Sequence, residues 1–185
     1  MDKDRIIMGI DPGTNIMGYG IIQIKGKGIS LVSMGSIHLS KLKDPYLKLG
    51  KIYDRTFSLI EQYTPDELAI EAPFYGKNVQ SMLKLGRAQG VSIAAALAHE
   101  LPITEYMPKK IKMSVTGSGN ASKEQVAAML ATIVNYKEVP SHLDATDGLA
   151  VAVCHYLQGG SNKTEGKKYN SWAKFLKDNP GRKAG

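Results

Sequence analysis

Residues 6–14 read IIMGIDPGT, an apolar run closed by Asp11 and followed at once by a Pro12-Gly13 turn. A short apolar run bounded by turn residues is the pattern of a buried strand, here over residues 5–11. Gly18 to Lys25 alternates as a second strand, a glycine-containing turn spans Lys25 to Gly28, and Ile29 to Leu39 continues as a third. Residues 5–39 therefore predict an antiparallel meander. Asp44-Pro45 opens a helix whose apolar face (Leu47, Ile52, Phe57, Leu59, Ile60) lasts to about Tyr63. Pro65-Asp66 breaks it, and residues 67–71 read as a short buried strand that again ends in an acid, Glu71.

A loop at residues 72–78 carries Phe74, Tyr75 and Lys77, and a long helix is expected from Asn78 to about Glu100. That helix holds Gly86 and Gly90 on a face with Met82, Leu83, Ile93 and Leu97. Each mid-helix glycine costs about 1 kcal/mol relative to alanine. A closely packed second helix, within the chain or across a dimer, explains the pair. Residues 102–106 form a strand ended by Met107-Pro108, and Lys109 to Val115 is helical or irregular. A flexible loop follows at residues 116–120. Ser122 and Gln125 fit a capping box for a helix to about Asn135, and Ser141 with Asp144 fits another for a last helix to about Leu157. There are no internal repeats.

This order predicts an α/β fold with a mixed five-stranded sheet flanked by helices on both faces. Right-handed crossovers place strands 67–71 and 102–106 parallel to the first. Asp11 and Glu71 then end neighbouring strands. The domain spans residues 1–158, and Gly159-Gly160-Ser161 marks the start of a basic, flexible tail over 159–185.

An apolar share of 43% and a charged share of 22% fit a soluble globular chain. No apolar run reaches the roughly 20 residues that span a bilayer, and the acid-bearing start MDKDRIIMGI does not read as a signal peptide. A cytoplasmic location with no membrane partner is expected. With Cys154 the single cysteine, an intrachain disulfide and a cysteine-built zinc site are excluded.

The net charge of +7 is uneven. Residues 159–185 hold seven Lys/Arg against two acids, and residues 75–125 hold seven (Lys77, Lys84, Arg87, Lys109, Lys110, Lys112, Lys123) against three. A basic zone beside converging acids suits a polyanion whose phosphate meets metal ions.

Asp144 and Asp147 lie three apart, on one helical face. One acid in a first turn serves capping or the helix dipole; two exceed that need. Asp11, Glu71, Asp144 and Asp147 thus predict one acidic pocket from distant segments. Neighbouring carboxylates repel, and oxygen-seeking Mg²⁺ or Mn²⁺ relieves them. Two such ions about 3.5–4 Å apart clamp an in-line phosphoryl displacement. Asp11 is the best-placed bridging ligand, and His142 is a better candidate helper than His155. No Ser-His-Asp set, Walker loop or dinucleotide fingerprint competes.

The ordered set Gly9-Ile10-Asp11-Pro12-Gly13-Thr14, Ala69-Ile70-Glu71-Ala72-Pro73-Phe74, Lys77-Asn78, residues 83–90, Met107-Pro108, Lys112, Lys123 and residues 144–150 resembles the RuvC family of Holliday-junction resolvases, on the ribonuclease-H-like fold. The match covers nearly all of residues 5–157. The resemblance implies a homodimer with two Mg²⁺ per active site, Mn²⁺ substituting. It implies symmetric nicks in two opposing strands of four-way junction DNA during recombination and repair. Asp11, Glu71, Asp144 and Asp147 are the implied metal ligands and catalytic residues. Phe74 matches an aromatic that stacks at the junction centre, with Tyr75 beside it, and Lys112 and Lys123 match phosphate contacts. Lys77, Lys84, Arg87 and Lys109 complete the expected DNA contacts. The Gly86–Gly90 helix corresponds to the dimer face, and the implied partner is the branch-migration motor (RuvA and RuvB type). Gly148 stands where the family often has alanine, a departure expected to loosen that helix start. Two other classes share parts of the pattern. Asp-x-Gly-Thr also occurs in actin-like and sugar-kinase ATP phosphotransferases, which need a chain about twice as long, and a non-catalytic junction binder would use the acids structurally.

Overall fold

The computed structural model describes residues 4–73, 78–136 and 143–159. Three strands open the chain, β1 (Arg5–Asp11), β2 (Ile16–Lys25) and β3 (Gly28–His38), followed by α1 (Pro45–Tyr63) and β4 (Glu67–Glu71). Then come α2 (Val79–Leu97), β5 (Ile103–Tyr106), α3 (Pro108–Thr116), α4 (Lys123–Val134) and α5 (Asp144–Leu157). The sheet order is β3-β2-β1-β4-β5. β1, β2 and β3 pair antiparallel, while β4 lies parallel to β1 and β5 parallel to β4, as the crossover rule predicts.

Local chemistry sets most boundaries. Asp44 caps α1 by accepting from the amides of Tyr46 and Leu47, and Pro45 begins the helix, where its missing N–H is harmless. Asn78 caps α2 through the Ser81 amide. Ser122 and Gln125 form the expected capping box at α4. The helix read as running to Glu100 stops at Leu97, because Glu100 takes a left-handed φ of 55° and turns the chain towards β5. Residues 109–115 are helical, within α3. The last helix departs from its predicted start. Leu143 occupies the N-cap of α5 without a side-chain cap, so Asp144 is the first helical residue rather than the third after a Ser141 cap. Ser141, like Phe74, Tyr75, Lys77, His142 and the tail from 160, lies outside the described residues.

Strand parity divides the core. Met8, Ile10, Leu68 and Ile70 face α1 and α2, packing with Ile52, Leu59, Ile60 and Ala88. Ile7 and Ala69 face the other way, against Leu149, Ala152 and Val153 of α5 with Ile111 and Leu130 of α3 and α4. Asp11 and Glu71 share the parity of Ile7 and Ala69. Both acids therefore point to the α5 side, and the Ile10–Ile70 pairing sets them next to each other.

On this side α5 lies almost on the backbone of the sheet. A Cβ on Gly9 would overlap Gly148 and Ala152, and one on Gly20 would overlap Leu149. A Cβ on Gly148 would overlap Gly18 and Tyr19. Gly148 thus permits close packing, where the sequence reading expected only a looser helix start. Gly86 and Gly90 differ, since a Cβ on either meets nothing within 4 Å among the described residues. No described helix of the chain explains them. Gly9→Ala should lower stability by about 3 kcal/mol, in the upper range for overpacked cores, read from the urea midpoint. Gly50→Ala, where a Cβ meets open space, serves as the comparison and should not lower it.

Candidate active site

The acids come together as their parity demands. Asp11 at the end of β1, Glu71 at the end of β4 and Asp147 in the first turn of α5 line one cavity of about 280 Å³. Lys112 from α3 and Lys123 from α4 complete its polar wall, while Pro108, Ile111, Val126 and Ala150 make its apolar floor. Lys112 Nζ donates to the Ala121 carbonyl at 2.8 Å, which fixes it beside the start of α4.

Lys123 holds the helix acids. Its Nζ stands 2.6 Å from Asp147 Oδ2 and 3.5 Å from Asp144 Oδ1. Asp144 does not line the cavity, and its side chain is 38% exposed against 19% for Asp147. Its reach into the site therefore runs through Lys123.

The electrostatics record a shortage of positive charge. Burial, then the Asp147 carboxylate, pushes Asp11 up to about 7, with Lys123 pulling the other way. Burial, then Asp11 and Asp147, pushes Glu71 up to about 8, only partly offset by Lys123 and Lys112. Burial also raises Asp147, against its bond to Lys123. Lys123 itself is held above the usual lysine range: burial opposes the charge, but the Asp147 hydrogen bond and the surrounding acids outweigh it. Carboxylates that resist ionisation beside one another are the donor set that a hard divalent cation relieves. Among the described residues no three acid, His or Cys side chains are already gathered as a metal cage. The oxygen-only chemistry and the raised acids nevertheless fit such an ion, with Lys123 supplying part of the missing charge.

The expected DNA contacts separate. Lys112 and Lys123 are at the acidic cavity. Lys84 and Arg87 line a different cleft, between α1 and α2. The Lys109 side chain lies against Gly119. Two supporting residues escaped the sequence reading. Gln89 of α2 donates to Glu105 at 2.8 Å and to the Glu71 carbonyl at 3.4 Å, steadying the strand end that carries Glu71. His155, read as an ordinary helix residue, is fully buried and bonded to Glu67 and Tyr106. A glutamate opening an apolar strand was the available signal for that partner.

A mixed sheet of this order, with acids ending its adjacent parallel strands and opening the helix laid across them, defines a ribonuclease-H-like nuclease. Within that class the chain belongs to the RuvC family, described as crossover junction endodeoxyribonuclease RuvC, whose model matches residues 7–155. It is 64% identical over 177 residues to the crossover junction endodeoxyribonuclease RuvC of Cytophaga hutchinsonii, covering 96% of this chain and 87% of that one. The corresponding protein of Christiangramia forsetii is 61% identical over 97% of this chain and 93% of its own. Thermus thermophilus RuvC, solved in complex with a Holliday junction substrate, superposes with a TM-score of 0.77 at 29% identity, over 84% of this chain and 94% of that one. The yeast mitochondrial Holliday junction resolvase shares the fold at 14% identity and a TM-score of 0.60.

The raised acids give stability a pH dependence in metal-free protein. Well below pH 3.8 the carboxyls are protonated, folded or unfolded. As pH rises the unfolded chain releases protons near 3.8 and 4.5, while the folded pocket keeps them until about 7 and 8. The folded state therefore loses stability across that window. The melting temperature of metal-free protein should fall between pH 5 and 8, and Asp11→Asn should flatten the fall. Identical profiles for the two proteins would show that Asp11 is not strained.

Proposed function

We infer that this chain resolves four-way DNA junctions by hydrolysing one phosphodiester bond in each of two opposing strands, with Asp11, Glu71 and Asp147 as its metal ligands, joined by Asp144 once Lys123 releases it. The observation that carries the assignment of residues is the meeting of Asp11, Glu71 and Asp147 with Lys112 and Lys123 around one cavity. RuvC-family nucleases are metal-dependent. Mg²⁺, two per site and replaceable by Mn²⁺, would activate the attacking water and stabilise the leaving 3′ oxygen when bound.

The chain's own groups do the rest. Asp11 and Glu71 are fixed by adjacent strands, so their oxygens keep a set separation as substrate enters. Asp147 is set by α5 and by its bond to Lys123. Lys112 and Lys123 offer positive charge to the scissile phosphate, whose charge grows at the transition state. Lys123 then exchanges its hold on Asp144 and Asp147 for the phosphate. Water adds across the P–O3′ bond, the released 3′ oxygen takes a proton, and 5′-phosphate and 3′-hydroxyl ends remain for ligation. Phe74, by the family pattern, stacks on an unpaired base at the junction centre, a contact worth about 1–3 kcal/mol.

Symmetric nicks require two such pockets. Val79, Leu83 and Leu97 are exposed along α2, and the open glycines Gly86 and Gly90 lie between them. This stripe supports a homodimer formed through α2. Action on a recombination intermediate supports a cytoplasmic location and a branch-migration motor as partner. No helix among the described residues is long and apolar enough to cross a membrane.

Asp147→Asn should abolish nicking of a synthetic four-way junction in Mg²⁺ and leave junction binding within about twofold. Loss of binding as well would make the acid structural, the position of a non-catalytic junction binder. Gly90→Leu should shift the protein from dimer to monomer in sedimentation and uncouple the paired nicks. An unchanged dimer would remove α2 from the interface.

A further inference from the structure

A second cleft, of about 490 Å³, opens between the first half of α1, the first half of α2 and the turn after β1. Lys43, Lys48, Lys84 and Arg87 all line it, and among the described residues no carboxylate does. The nearest acid in sequence, Asp44, accepts the amides of Tyr46 and Leu47 and so neutralises the start of α1. Lys43, Lys84 and Arg87 are exposed, whereas Lys48 is half-buried with its Nζ on the Thr14 carbonyl at 2.9 Å and on Asn15 Oδ1 at 3.1 Å. Tyr46, also in the lining, is 74% exposed. Four like charges around one cavity oppose each other until an anion enters. Exposed cations beside an aromatic face are the combination that tracks a nucleic-acid strand.

The turn after β1 links this cleft to the acidic cavity: Thr14 forms part of the cleft wall and follows Asp11 by three residues, a span of at most about 11 Å. We propose that this cleft is a second phosphate-backbone site, gripping the DNA beside the stretch cut at the acidic cavity, with Lys43, Lys84 and Arg87 as contacts and Lys48 tying the grip to the turn behind Asp11. The proposal rests on the junction-nuclease reading and adds a separate contact surface to it. Lys84 and Arg87 act here, away from the acids, and Lys43 and Lys48 join them.

The test measures junction affinity against salt concentration, in Ca²⁺ to prevent nicking, for wild type and for Lys43→Gln/Lys84→Gln/Arg87→Gln. Lys25→Gln/Lys27→Gln, in the exposed β2–β3 turn, is the control. Each lost phosphate contact should lower the slope of log affinity against log salt by about 0.9, so the cleft variant should lose about 2–3 per engaged subunit and the control nothing. Neutral methylphosphonates, scanned one position at a time on either side of the cut, should weaken wild-type binding at one or more positions where the cleft variant is unaffected, and a scan in which the two proteins respond alike overturns the proposal. An unchanged slope in a variant that melts like wild type overturns the cleft alone. A change of oligomeric state without a change of slope assigns the cleft to subunit contact and also overturns it. Wild-type protein that neither binds nor nicks the junction overturns the functional reading and this proposal together.

Discussion

Everything at the active site depends on how closely α5 can approach the sheet. Gly9, Gly18 and Gly20 on the strands and Gly148 on the helix leave no room for a Cβ at the contact. Glycines inside strands and helices are each destabilising by roughly 0.5–1 kcal/mol. The contact offsets that penalty by burying Ile7, Ile22, Leu149, Val151 and Val153 completely. It also sets the depth of Asp147. A helix on ordinary side-chain spacers would hold that carboxylate too far from Asp11 and Glu71 for the three to share one cavity.

The register of α5 along the sheet is fixed at its other end. Glu67 and Glu71 open and close β4 on the same face, about 13 Å apart. Asp147 and His155 are eight residues apart on α5, about 12 Å. The two spacings match, so Asp147 meets Glu71 while His155 Nε2 meets Glu67 Oε2 at 2.6 Å. Arg5 donates to the other Glu67 oxygen at 2.8 Å. Tyr106, whose hydroxyl burial pushes up to about 12, stays a donor and bonds His155 Nδ1 at 2.9 Å. One strand thus carries two glutamates of contrasting fate. Glu67 is paired at the inert end, while Glu71 has no ion pair with any described residue and is driven up to about 8. Pairing is withheld at the acidic cavity, and the network at the far end holds the helix that completes it.

Strand existence and order were legible because apolar runs and turn residues are local signals, and the crossover rule set Asp11 and Glu71 at neighbouring strand ends. The Asp44, Asn78 and Ser122 starts were legible for the same reason. The reading failed where the decisive neighbour is distant in sequence. A Ser-x-x-Asp pattern at 141–144 looks like a cap, but α5 starts at Asp144, with Leu143 in the cap position. Gly148 read as a weakness until β2 was placed against it. Lys84 and Arg87 joined Lys112 and Lys123 as one basic zone because charge counts ignore which face of the sheet a helix covers; α2 lies on the face opposite α5.

That separation has an electrostatic logic. Three half-buried carboxylates repel an approaching phosphate, and Lys112 and Lys123 offset them only in part. Positive charge placed deeper among the acids would neutralise them and occupy their oxygens, as Lys123 does at Asp147. Charge placed on the opposite face of the sheet leaves the acids short of a cation. Attraction for a polyanion and affinity for a divalent ion would make opposite demands on one pocket. The sheet separates the two kinds of charge, with the acids on one face and the α1–α2 cations on the other, joined by the short turn from Asp11 to Asn15.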